Sequence, residues 1–82
     1  MAERVVGEIE ERRSNIKLLQ GDNIFGHYAA AHPILRDETI RLYQEEIEAL
    51  SSLDPLTATD ENVNEIARTY QALRNNLDPK AS

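Results

Sequence analysis

PILRDETIRLYQEEIEALSS, residues 33–52, is the stretch on which the fold turns. Within it Ile40, Tyr43, Ile47 and Leu50 recur at spacings of three and four, and Leu35, Leu42 and Ala49 form a neighbouring stripe seven apart. That is the period of an amphipathic α-helix, whereas a half-buried strand would alternate every second residue. Two adjoining stripes make a wide apolar face, so this helix, expected over 34–52, is the expected centre of the core. Its start is either Pro33 at the first helical position, where a missing N–H costs nothing, or Asp37 as an N-cap. It should stop near Ser51 or Ser52, ahead of Asp54 and Pro55.

Toward the C-terminus, Val63, Ile66, Tyr70, Leu73 and Leu77 repeat at 3-4-3-4 spacing, which predicts a helix over 59–77 with Thr57 or Thr59 as its cap. Asp78 and Pro79 end it, and the tail 78–82 is expected to fray. Toward the N-terminus, a helix over 2–20 carries Val5, Ile9, Ile16 and Leu19 on one stripe. Arg12 falls on that stripe, where it must pair or snorkel. Gly21 is expected to end this helix in a left-handed conformation. Asp22 or Asn23 then caps a short helix over 23–31, through Ile24, Phe25, Tyr28 and three alanines, with Gly26 a mild weakness and Pro33 forbidding continuation.

No β-branched alternating segment interrupts this series, so the expected fold is all-α. It is a single domain, 1–82, built as a small helical bundle or as an αα-hairpin with an additional N-terminal helical arm, with three long helices and one short one.

A chain of 82 residues without cysteine has neither disulfide nor thiolate metal site to reinforce its core. A core of this size supplies roughly 3–5 kcal/mol, so oligomerisation or a partner is the expected source of added stability. Charges interrupt every apolar run, which excludes a spanning helix, and Met-Ala-Glu-Arg-Val-Val is no signal peptide. An intracellular, cytoplasmic setting, or one within an assembled particle, is therefore expected. Fifteen acidic residues against nine basic ones, a net charge of -6, repel phosphate backbones and anionic membranes. The expected partner is a protein, either another copy of this chain or one presenting a basic or apolar surface.

Reactive constellations are absent from the sequence. His27 and His32 lie five apart, where one helix face needs three or four, so no metal site is expected; His27 reads as a partly buried polar group and His32 as a cap. Glu38, Arg41, Glu45 and Glu48 read as a solvated ladder of ion pairs rather than as catalytic carboxylates. Gly21 and Gly26 do not frame a phosphate-binding loop, and no serine sits on a glycine-flanked elbow. The chain is thus expected to be non-enzymatic and without a cofactor.

The partner-binding residues that remain are Val5, Ile9, Arg12, Ile16 and Leu19 on the first helix, with Phe25 and Tyr28 at the glycine-bracketed corner. Ile24, Phe25 and Tyr28 are expected to plug the end of the bundle, exposed anchors being the other reading. The functional expectation is a helical interaction or assembly module, a small structural component of a larger particle such as a virion being one form. The alternative is an acidic inhibitor covering a basic, nucleic-acid-binding surface of a partner.

Overall fold

The computed structural model describes residues 2–21 and 23–77, apart from the side chains of Ala2 and Phe25. The expectations for Asp22 as a cap and for the tail 78–82 lie outside the described residues. Among the described residues four helices follow one another: α1 (Ala2–Gln20), α2 (Ile24–Ala31), α3 (Pro33–Ser51) and α4 (Asp60–Asn75). Among the described residues no strand occurs, and no helix is long and apolar enough to cross a membrane.

Each boundary has a local cause. Asn23 Oδ1 accepts the Gly26 N–H at 3.0 Å and so caps α2. Pro33, and not Asp37, opens α3; His32 is the cap of both flanking helices through its backbone, with no side-chain cap bond to α3. Thr59 opens α4 in a reciprocal capping box: its Oγ1 accepts the Asn62 N–H at 3.2 Å, and Asn62 Oδ1 accepts the Thr59 N–H at 2.9 Å.

Both corner glycines behave differently from expectation. No described glycine has a positive φ, so Gly21 does not end α1 in the left-handed region. The Leu18 carbonyl instead accepts the Gly21 N–H at 3.4 Å and Asn23 Nδ2 at 3.2 Å, which removes the need for a left-handed cap. Gly26 is more than a weak point in α2. A Cβ there would overlap the Gly21 carbonyl oxygen and lie 2.8 Å from its carbon. Only glycine lets α2 fold back so closely on the end of α1.

The helices make a bundle with α3 at its centre, packed against α1, α4 and α2. α1 runs antiparallel to α3, since Val5 sits near Leu53 at one end and Leu19 near Thr39 at the other. α4 runs antiparallel to α3 in turn, and α2 closes the end that α4 does not reach. The Cα envelope, 42 × 24 × 14 Å, is long and thin. Its apolar core is correspondingly small: Ala29, Ile40, Leu42, Leu50 and Val63 are the buried hydrophobic residues among those described. On α4, Val63 alone of the apolar seam is buried, Ile66 and Tyr70 being half-buried and Leu73 exposed.

Candidate functional site

Between α1 and α4 the bundle is joined by charge in place of an apolar seam. Arg12 projects from α1 and Arg74 from the last turn of α4, and Glu46 of α3 lies between them. Glu46 is 0% exposed and Arg12 8%. Arg74 Nη1 donates to Glu46 Oε1 at 2.6 Å, while its guanidinium lies 4.3 Å over the Tyr43 ring. Arg12 Nε stands 2.9 Å from Glu46 Oε2. The angle of that approach is too poor for a hydrogen bond, and neither atom has another partner, so the contact is an ion pair only. Arg12 Nη1 also donates to the Glu8 carbonyl at 3.0 Å and to the Glu8 carboxylate.

Burial lowers the pKa of the Arg12 guanidinium, but Glu46 and Glu8 raise it by more, and the balance lies above the ordinary value. Arg4 adds a second clasp between α1 and α4, donating to Asp60 Oδ1 at 2.8 Å and, part-buried, to Asn64 Oδ1 at 2.6 Å. The Glu46 carboxylate has no exposed surface and so cannot touch a substrate. The triad can position helices, and a charge removed from one of its members would leave another buried and uncompensated. Among the described residues no group of three His, Asp or Glu side chains is placed to hold a metal ion.

The residues read from the sequence as partner-binding fall into two sets. Val5, Ile9, Ile16 and Leu19 are half-buried along the α1–α3 interface of their own chain, with Arg12 buried among them. Val5 and Ile9 remain partly open in an apolar depression shared with Val6, Leu53 and Pro55. Leu19 borders two adjoining depressions, one with Leu18 and Tyr43, the other with Tyr28 and Leu35.

The corner residues do not plug the bundle. Ile24 is 83% exposed and Tyr28 59%, because α2 turns its small residue Ala29 inward while these two point away. The side chain of Phe25 lies outside the described residues. Tyr28 stacks at a tilt on His32, with ring centroids 4.6 Å apart. His27, expected to be partly buried, is exposed, since it lies on the outer side of the same short helix.

Several residues of consequence escaped the sequence reading. Glu46, weighed only with Glu45 and Glu48 as a cluster of carboxylates, lies three residues after Tyr43 and four before Leu50, a seam spacing that marks it for burial. Arg74 bears the same sign, four residues after Tyr70 and three before Leu77. Leu56, 92% exposed in the turn between α3 and α4, was missed because turn residues have no periodicity to read. Compared with known proteins, the chain matches no family model, no curated protein and no solved structure.

Proposed function

We propose that the protein is a non-enzymatic helical assembly module whose outward apolar residues are covered by another protein chain. The observation that carries this reading is the imbalance between its two apolar sets. Only five hydrophobic residues are buried among those described, while Ile24, Tyr28, Ile34, Val6, Leu18, Leu73 and Leu56 are exposed. Scattered exposed apolar residues are ordinary on a protein surface. Here they outnumber the core, and burying Ile24 and Leu56 alone would each contribute about 1.5–3 kcal/mol to a domain whose own margin is roughly 3–5 kcal/mol.

Ile24 and Tyr28 on α2 and Ile34 at the start of α3 gather at one end of the molecule, a suitable contact for a second copy. A small structural component of a larger particle, such as a virion, is one form such a module takes. The alternative, an acidic inhibitor of a basic surface, draws less support. Glu8 and Glu46 are engaged by Arg12, Glu38 and Glu45 by Arg41, and Glu61 by Arg68, which leaves less unpaired acid to present.

Light scattering over a wide concentration range tests the reading. Self-assembly is expected as a molar mass rising above 9.3 kDa with concentration, and Ile24→Asp should suppress the rise. A mass held at 9.3 kDa at every concentration would remove self-assembly. The covering chain would then have to be a different protein.

A further inference from the structure

The groove that receives α4 is longer than α4. On its α1 wall Arg4 holds Asp60 and Asn64 of α4, and Arg12 meets Glu46 beside Arg74. Asn15 and Leu19 follow Arg12 on the same stripe, at spacings of three and four. On the α3 wall the stripe runs from Glu46 back through Tyr43 and Thr39 to Leu35. Arg74 lies over the Tyr43 ring, and α4 ends one residue later. Beyond that point lie two depressions, which share Leu19 and Thr39 and so form one open continuation of the groove.

The open half differs in chemistry from the filled one. Where α4 sits, the walls supply Arg4, Arg12 and Glu46; past Tyr43 they supply Leu18, Leu19 and Leu35. The Thr39 hydroxyl there already donates to the Leu35 carbonyl at 2.7 Å, and Arg36 at the edge is paired with Asp37. An occupant therefore needs apolar side chains and no charge. Its length is that of a short helix, since Leu35 to Tyr43 is about 12 Å of α3.

α2 answers that description. It has 8 residues, also about 12 Å, and unlike α1, α3 and α4 it carries no Asp, Glu, Lys or Arg. Ile24 and Tyr28, four residues apart, form its outward face. The lack of charge matters between copies, because each chain carries a net charge of -6 and contact through another helix would desolvate ionised groups. Tyr28 also lines the open groove, so helix and groove lie side by side at one end of the molecule. A twofold contact uses such a patch twice, once on each copy. We infer, on the self-assembly reading of the protein's function, that two copies dock reciprocally, the Ile24–Tyr28 face of each α2 lying in the open groove of the other.

Reciprocity allows a complementation test in the full chain. I24D puts a charge on the helix face, and L18E, at a rim residue 44% exposed, puts one in the groove without touching the core. In sedimentation, each variant alone should dissociate at least about tenfold more readily than the parent. Mixed in equal amounts the two should associate again, since the intact α2 of L18E fits the intact groove of I24D. Their affinity should fall short of the parent's, because one of the two docking sites is lost. In a parent sample of labelled and unlabelled chains, isotope-filtered nuclear Overhauser contacts should join Ile24 or Tyr28 of one copy to Leu18, Leu19 or Thr39 of the other.

A parent that is monomeric at every concentration overturns this docking together with self-assembly. Where the parent associates, the docking alone falls if L18E associates as the parent does, if the mixture stays as weak as its components, or if the intermolecular contacts join Ile24 to Ile24 or run through Val6 and Leu56. Should L18E lose its helix content, the contacts in the parent decide.

Discussion

Glu46, fully buried on α3, receives Arg74 Nη1 of α4 at 2.6 Å on one carboxylate oxygen and faces Arg12 Nε of α1 at 2.9 Å with the other. One side chain therefore answers two cations from two helices. The single substitution Glu46→Leu should leave both guanidinium groups buried and facing an apolar residue. Breaking a buried pair from one side costs about 3–5 kcal/mol, which is the whole expected margin of so small a domain. Urea denaturation should find the variant largely unfolded without denaturant. Arg41→Ala supplies the contrast: its pairs with Glu38 and Glu45 are exposed, and no resolvable change is expected.

The pH dependence of the Arg12 contribution has a definite sign. Burial opposes the charge and Glu46 and Glu8 favour it, leaving the folded pKa above the unfolded one. A cation raised in this way stabilises the fold fully below its unfolded pKa, and the effect is lost only as pH climbs through the folded value. The drop in melting temperature caused by Arg12→Met should therefore be the same at about pH 7 and about pH 9, since arginine holds its proton throughout that range. A drop that shrinks toward the higher pH would contradict the assignment.

Gly26→Ala should destabilise, although alanine is the better helix former. Better propensity returns about 1 kcal/mol. Against it stands an overlap with the Gly21 backbone, which cannot rotate aside, at about 3 kcal/mol. The net loss of about 2 kcal/mol should appear as a lower denaturation midpoint with an unchanged slope.

Thr59→Ala removes the hydroxyl that receives the Asn62 N–H. A lost N-cap of this type costs about 1 kcal/mol. Hydrogen exchange should locate the effect in the first turn of α4, with α1 and α3 unaffected; uniform loss of protection would mean that α4 does not open separately.

Much of the helix layout was legible in the chain before folding. The helices expected over 2–20, 23–31, 34–52 and 59–77 meet observed helices displaced by two residues at most at any end. Asn23, Pro33 and Thr59 act at the boundaries as their chemistry requires. These are local properties, set by a 3.6-residue period and by which side chains can satisfy an orphan amide within a few residues. Arg12 on the apolar stripe had to pair or snorkel, and of the two it pairs, with Glu46 and Glu8.

The identity of the buried partner was another matter. Glu45, Glu46 and Glu48 are alike in type and helix, yet Glu46 alone of them faces both α1 and α4 and is wholly buried. In the same way Ile24 and Tyr28 resemble core residues in sequence, and Gly21 and Gly26 resemble a helix stop and a weak point. Which of two similar side chains is buried, and how closely two backbones approach, depends on the angle at which one helix meets another. That angle follows from contacts between residues far apart in the chain, so no local periodicity contains it.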